Sequence, residues 1–599
     1  MEAKYEFAYA VEMAWSGNLS FADLISRATE LEAQALPQLS AVLYQTWLQK
    51  THSAYAHAVN FNLGVTLSNL ADLAGAEKAY LQAITLSPTF SHPRLNLGIL
   101  YERMGRLDDA LAEWEWIHQN AQGPGADRSV TLLALNHLGR VLEVKKQLLE
   151  AEEYLTASLM LNPLQPDVLH HWVFLRQKQC AWPVYKPVEG VTLDAMKNAT
   201  SALAMMSLSD DLQLQLAAAS RYVNEKVDRN LIALSQTAGY GHSKIRIAYC
   251  SSDFCLHPVS MLTVELFELH DREQFEVYGF CWSPDDGSAL RKRVVSAMDH
   301  FLTIHSLSDE DAAKLIRSHE IDVLIDLQGQ TSGARPNMLG RRPAPIQITY
   351  LGLPATTGLP SIDYVIADEF LIPSNAAPFY SEKPLYMPHV YQVSDRQRTA
   401  APQPSRNECG LPDEGFVFCS FNNSYKYTPE MFDVWANVLR RVPSSVMWLL
   451  ADNSWAEQNL RREAESRGVS SDRLVFAGRV SPENYLARYQ VADLFMDTFP
   501  FNAGTTANDC WWMGCPILTL TGRSFGSRMA GSLLRAAGLP ELITTSLSEY
   551  EEMAVALAYD PARSLGFRHH LSEVRGRGVL FDTPQFVRDL ESRIKQLVA

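Results

Sequence analysis

The spacing of apolar and polar positions changes character once along the chain, near Lys244. Before it, apolar residues return every three or four positions, the period of helices that bury one face. After it, short apolar runs alternate with helix-period stretches. In the first region Asn62-Leu63-Gly64 recurs as Asn96-Leu97-Gly98, 34 residues on, and as His137-Leu138-Gly139 another 41 residues on. Aligned on these glycines, small residues (Ala76, Ala83, Ala110, Ala151), aromatics (Tyr80, Tyr101, Trp114) and helix-ending prolines (Pro88, Pro163) fall into matching places. Paired helices at this period form the tetratricopeptide pattern. Repeats are predicted over 57–90, 91–124 and 132–165, inside an all-α superhelix of residues 1–180. Gly64 and Ala76 should let paired helices approach, and Tyr80 and Trp114 should fill the groove against the next repeat. The extra residues before the third repeat fall at Gly123-Pro124-Gly125, a turn signal. Residues 1–50 read as amphipathic helices, either a degenerate repeat or a cap, and His170 to Gln179 as a closing helix. Arrays of this kind bind protein or peptide segments along a concave face.

Residues 181–243 read as a helical linker, with a helix from about Asp210 to Lys226. Strands are predicted at 244–250, 275–282, 300–304, 321–327 and 346–351. A segment rich in Pro, Gln, Arg and Ser then interrupts the pattern near 388–412. It resumes with strands at 416–421, 446–450, 474–477, 494–497 and 517–520. Strands alternating with helices predict parallel sheets of right-handed βαβ units. The fold class is thus α followed by α/β: a helical array, then two doubly wound, Rossmann-like lobes. The first lobe spans 244–390 and takes back a C-terminal helix from about 580–599; the second spans 391–579. Ligands bind beyond the carboxyl ends of such strands, so the expected site is the cleft between the lobes.

Composition narrows the function. Of 599 residues, 47% are hydrophobic and 20% charged, enough for sizeable cores. The net charge of −16 argues against nucleic-acid binding, which needs a basic surface. The eight cysteines form no CxxC pair, which fits free thiols in a reducing compartment. Glu2, Glu6 and Glu12 disfavour a secretory leader, and no run of about 18 apolar residues is long enough to span a membrane. A cytoplasmic setting is the expectation. Asp309-Glu310-Asp311 has the shape of a metal-binding DxD, but it opens a helix behind Ser308, where acids favour the helix dipole. With no Cys/His cluster at metal spacing, no metal is expected.

Three stretches carry candidate chemistry, each with a plainer alternative. In the run from Asp497 to Thr506 a strand gives way to a turn at Gly504 and a helix start, a ready anion site, with Asp509 one turn in for a ribose hydroxyl pair. Ordinary capping by Thr505 is the alternative. Lys426, in Phe421-Asn422-Asn423-Ser424-Tyr425-Lys426, would neutralise a departing diphosphate or sit as a solvated loop lysine. His257, in Ser252-Asp253-Phe254-Cys255-Leu256-His257-Pro258, would act as a general base or cap a helix. His300, alone, reads as structural.

Together, the runs at 252–258, 283–287 (SPDDG), 342–347 (RPAPIQ), 386–389 (YMPH), 421–426 and 502–514 (NAGTTANDCWWMG) closely resemble the O-linked N-acetylglucosamine transferase family, including its bacterial and plant SPINDLY-like branches. The resemblance covers the repeats and nearly all of 244–599. It implies a metal-independent, inverting GT-B transferase without a cofactor. The co-substrate is a nucleotide sugar, led by UDP-N-acetylglucosamine; the acceptor is a Ser or Thr hydroxyl on a protein held by the repeats. Homodimers are also known for such arrays. By motif position, His257 matches the histidine near the reacting centre and His300 a second active-site histidine. Lys426 matches the diphosphate lysine, Thr505 and Thr506 the diphosphate threonines, and Asp509 the ribose aspartate. Gly352 and Pro354 fall in the loop beside the sugar; Asn423, Val480, Tyr485 and Arg488 fall among the nucleotide contacts. Asn423, Gly504, Tyr485 and Pro482 stand where the animal enzyme has glutamine, histidine, histidine and lysine. These differences leave UDP-glucose and GDP-fucose as alternative donors. Separately, asparagine-linked glucosyl transfer is an alternative reaction, against which the repeat array argues, and an inactive repeat scaffold is the non-enzymatic alternative.

Overall fold

The computed structural model describes residues 2–123, 126–235 and 239–599, with side chains from Glu6 onward. Pro124 and Gly125 of the expected turn, and residues 236–238 of the linker, lie outside the described residues. Contacts divide the chain into two compact units, Met1–Leu175 with Pro187–Met196, and Arg176–Lys186 with Lys197–Ala599.

The first unit is helical. Helices Glu2–Trp15, Phe21–Ala33 and Pro37–Lys50 precede the pairs Ala56–Asn69/Leu73–Leu86, Ser91–Arg103/Leu107–Gln119 and Arg128–Val144/Leu148–Leu161. The repeat glycines mark the crossings. A Cβ added at Gly64 would lie 2.5 Å from the Tyr80 ring, one at Gly98 2.3 Å from Trp114, and one at Gly139 2.2 Å from Leu155. Each large side chain therefore sits first against the glycine of its own repeat. Trp114 serves the next repeat as well, stacking on His137 at 4.8 Å. Asp72 and Asp127 cap the second and fifth of these paired helices with their carboxylates.

The second unit holds two parallel sheets. In the first, β1 (Ile245–Ser251), β2 (Phe275–Cys281), β3 (His300–Thr303), β4 (Val323–Asp326), β5 (Ile346–Thr349), β6 (Tyr364–Ala367) and β7 (Lys383–Tyr386) lie in the order 3-2-1-4-5-6-7. In the second, β8 (Val417–Ser420), β9 (Val446–Leu450), β10 (Leu474–Ala477), β11 (Leu494–Met496), β12 (Ile517–Leu520) and β13 (Ile543–Thr544) lie in the order 10-9-8-11-12-13. The central strands are apolar and buried throughout, as a sheet covered by helices on both faces requires. Three strands escaped the sequence reading. β13 has two residues, β6 has four, and β7 carries Pro384, which cannot donate to a ladder and is tolerated because β7 is an edge. The helix Thr583–Val598 packs on the first sheet, where Glu591 meets buried His270 at 2.9 Å and Phe586 stacks on Tyr350.

Candidate functional site

A cavity of about 220 Å³ opens between the carboxyl ends of the two sheets. Its walls come from both lobes: Pro258, Leu351, Pro354 and Gln392 on one side, Asn423, Lys426, Thr505 and Thr506 on the other. The expected cleft thus exists, and it gathers Pro354, Asn423, Lys426, Thr505 and Thr506 into one wall set.

Lys426 is buried, only 8% exposed, so the solvated-loop reading falls. It ends a 3₁₀ turn, Ser424–Lys426, whose closing bond runs from its own amide to the Asn423 carbonyl at 3.0 Å. Its ammonium donates to the Asn502 carbonyl at 2.8 Å and lies 3.7 Å over the Phe501 ring. Burial lowers it from 10.5 to about 8, while the nearby Asp497 carboxylate works the other way. Asp497, at the carboxyl end of β11, organises this wall. It accepts from the Thr498 and Ala503 amides at 2.8 Å and from the Thr519 hydroxyl at 2.7 Å, and burial pushes it up to about 6. These bonds fold the turn that presents the Asn502 carbonyl. The sequence signal for Asp497 was an acid ending an apolar strand.

The helix Thr505–Trp512 begins at Gly504, which offers no side chain to cap it. Thr505 is therefore the first helical residue and not the N-cap, which removes the capping alternative. Among the described residues the Thr505 and Thr506 amides donate to no group, as the first amides of a helix do. They and two hydroxyls stand beside Lys426 on the cavity wall, an arrangement suited to an anion. Asp509 is buried, and burial pushes it up to about 6 against the pull of Arg398, its ion-pair partner at 2.7 Å. Tyr485 bonds Tyr489 hydroxyl to hydroxyl at 2.5 Å, and Tyr489 reaches the Thr506 carbonyl. Val480 is 43% exposed, and Arg488 donates to the Gly478 carbonyl at 2.6 Å. Val480, Tyr485, Arg488 and Asp509 thus lie outside the cavity wall.

On the first lobe His257 caps the helix Pro258–Leu269. Its Nδ1 accepts the Val259 amide at 3.4 Å, with Asp253 Oδ2 3.5 Å from the same nitrogen. Nδ1 is engaged, so Nε2 is the atom left to act. Burial lowers the imidazole, and the Asp253 carboxylate opposes the shift. Gly352 lies against the Gln328 backbone, where an added Cβ would come within 2.3 Å of its carbonyl carbon. Its neighbour Leu351 takes φ +61°, left-handed for a residue with a side chain. Beyond Pro354, buried Glu382 accepts from the Thr356 hydroxyl at 2.8 Å and the Thr357 amide at 2.7 Å. Glu382 precedes the unforeseen β7, which explains why its hold on this loop was missed.

His300 requires correction. It opens β3, so it lies at the amino end of a parallel strand, whereas the cleft lies at the carboxyl ends. There it bonds Glu276 at 2.9 Å and stacks on Tyr278 at 4.4 Å. It is half-exposed and does not join the cavity wall. Asp309, Glu310 and Asp311 form the first turn of a helix capped by Ser308, and Asp309 and Glu310 pair with Arg335 and Arg341. No group of three or more His, Cys, Asp or Glu suited to a metal occurs among the described residues, and no helix is long and apolar enough to cross a membrane.

Two facing doubly wound lobes, with a buried lysine beside a helix start in the cleft, define a fold of the GT-B glycosyltransferase class. Residues 226–402 and 399–590 match the profile of glycosyl transferase family 41, and 57–90 and 79–112 match tetratricopeptide-repeat profiles. The chain belongs to glycosyl transferase family 41. A protein of Arabidopsis thaliana described as a probable UDP-N-acetylglucosamine–peptide N-acetylglucosaminyltransferase, SEC, is 39% identical over 358 residues, 59% of this chain and 37% of that one. A Caenorhabditis elegans UDP-N-acetylglucosamine–peptide N-acetylglucosaminyltransferase is 28% identical over a 467-residue alignment, 59% of this chain and 41% of the other. The chain spans less than half the length of these curated relatives. Among solved structures, a point mutant of the Thermobaculum terrenum O-GlcNAc transferase superposes with TM-score 0.65 at 25% identity, covering 92% of this chain and 98% of that one.

Proposed function

We propose that this protein is an inverting glycosyltransferase that moves N-acetylglucosamine from UDP-N-acetylglucosamine to Ser or Thr hydroxyls of proteins bound by its repeat array. The observation that carries the reading is the pairing of buried Lys426 with the uncapped helix start at Thr505 and Thr506 on one cavity wall. The relatives' names supply the sugar, the base and the peptide acceptor.

Transfer is a single displacement. The acceptor oxygen bonds to the anomeric carbon as the bond from that carbon to the diphosphate oxygen breaks, through an oxocarbenium-like state. Negative charge grows on the departing diphosphate. The buried Lys426 ammonium and the Thr505 and Thr506 amides are fixed donors on one wall of the cleft, placed to stabilise that charge. His257 reaches the acceptor side through Nε2, orients the hydroxyl and takes its proton as the new bond forms. Asp509, one turn along the helix whose start lines the cavity and just beyond the wall itself, takes the ribose, and the Gly352–Pro354 loop borders the sugar.

A thermal-shift panel with UDP-N-acetylglucosamine, UDP-glucose, GDP-fucose and the parent diphosphates tests this. A ligand at about 100 times its Kd adds about 2.7 kcal/mol of stability. UDP-N-acetylglucosamine should stabilise the wild type and lose its effect in Lys426→Ala. Mass spectrometry of a treated acceptor should then find the added hexosamine on Ser or Thr. A shift with GDP-fucose alone would replace the donor, and modified asparagine would replace the acceptor chemistry.

A further inference from the structure

The segment Ser394–Arg398 divides its side chains between the lobes. Asp395 accepts from Arg293 at 2.7 and 2.9 Å. Arg396 bonds Glu265 through both its backbone amide, at 2.7 Å, and its guanidinium, at 2.9 Å. Gln397 donates to Glu268 at 3.1 Å. Glu265 and Glu268 lie on the helix Pro258–Leu269 and Arg293 on Ala289–Ser296, so all three grips fall on the first lobe.

Arg398 turns the other way. Its Nη1 donates to Asp509 Oδ1 and its Nη2 to Asn508 Oδ1, both at 2.7 Å, on the helix whose start lines the cavity. Its Nε donates back to the Asp395 carbonyl at 2.8 Å, and the guanidinium lies 4.7 Å over the Trp512 ring. Asn508 donates in turn to the Ser394 hydroxyl at 2.5 Å. Both members of the pair are nearly buried, at 8% and 11% side-chain exposure, where an unmatched carboxylate is costly. Among the described residues Asp509 Oδ2 takes part in no hydrogen bond.

We propose that Arg398 is a positioning residue for nucleotide recognition: from a segment anchored on the first lobe, it fixes the Asp509 carboxylate on the second so that Oδ2 receives the ribose hydroxyls. The inference rests on the nucleotide-sugar reading of the cleft. One planar fork holds two adjacent residues, and a third nitrogen holds the fork. A lysine, with a single ammonium at the tip of a flexible stem, keeps the charge and loses that geometry. Ribose recognition is then tied, through one guanidinium, to a segment held by the opposite lobe.

Calorimetric titration of the full chain with UDP and with its 2′,3′-dideoxy analogue tests this in wild type, Arg398→Lys and Arg398→Ala. Hydrogen bonds to a charged acceptor should make the wild type prefer UDP by about tenfold or more. That preference should vanish in Arg398→Ala, because the dideoxy analogue loses nothing there, and Arg398→Lys should restore part of it. A preference equal to wild type in either variant overturns the proposal, and if Arg398→Ala does not fold, Arg398→Lys decides alone. Wild type binding both ligands equally overturns the role of Asp509 and Arg398 but leaves the nucleotide reading standing. Wild type binding neither overturns both.

Discussion

Lys426 has been taken out of water, and its chemistry follows from that. Burial at about 8 leaves the ammonium the main form at neutral pH, and it is lost as pH rises through about 8. Nucleotide affinity should therefore fall above that pH. In Lys426→Arg, whose guanidinium stays charged, the alkaline fall should be absent; an unchanged profile would show that another group sets it. The same shift bears on folding. The unfolded lysine keeps its proton to about 10.5 and the folded one to about 8, so the unfolded state binds more protons between those values. Its contribution to stability rises with pH across that window. In the proposed transfer Lys426 and His257 should be unequal. Removing a preorganised donor to developing charge costs about 10²–10³ in kcat, whereas His257 has one nitrogen already engaged by the helix start. Lys426→Ala should lose more kcat/KM than His257→Ala. Comparable losses in steady-state assays would sink that order.

At the scale of elements, the loop after β5 is held between two backbones. Leu351 is left-handed, Gly352 has no room for a Cβ beside Gln328, and Glu382 ties the far end through two threonines. Gly352→Ala must move one of two backbone segments, because the obstructing atoms are main-chain carbons and oxygens. The expected cost is about 1–3 kcal/mol in denaturant unfolding, with kcat/KM lowered as well because Leu351 and Pro354 line the cavity. Full stability with intact activity would show that the loop yields. The repeat glycines form the milder contrast. Gly64 and Gly98 face the Tyr80 and Trp114 side chains, which can shift where a backbone cannot.

Across the whole molecule, the boundary of the two-lobed unit does not follow the helical array. Arg176–Lys186 groups with the lobes although the array continues to its edge and residues 187–196 rejoin it. Ser424 donates to the Lys178 carbonyl at 2.6 Å, and Asn453 and Asn459 donate to the carbonyls of Lys178 and Gln179 at 2.8 Å. This segment therefore backs the Ser424–Lys426 turn. A chain beginning at residue 176 should match the full protein in UDP affinity, whereas one beginning at 197 should melt lower and bind UDP more weakly. Equal melting temperatures for the two would remove Arg176–Lys186 from the two-lobed unit.

The sequence by itself determined what depends on local period and on single steric demands. The repeat glycines announced the helix crossings because a side chain there would press on Tyr80 and Trp114. The apolar runs announced the central strands because both faces of those strands are buried. The run from Phe421 to Lys426 and the Thr505-Thr506 helix start announced one wall of the cleft because each follows a strand at its carboxyl end. Tertiary structure alone decided which of these groups meet. It put His300 on the edge strand of its sheet, although its place at the amino end already followed from opening a strand. It took Lys426 out of water, and it joined Arg398 to Asp509 across 111 positions of chain and Glu382 to Thr357 across 25. Hydrophobic patterning records what each residue does to water. Pairing between distant side chains is set by how sheets and helices stack, and no local period encodes it.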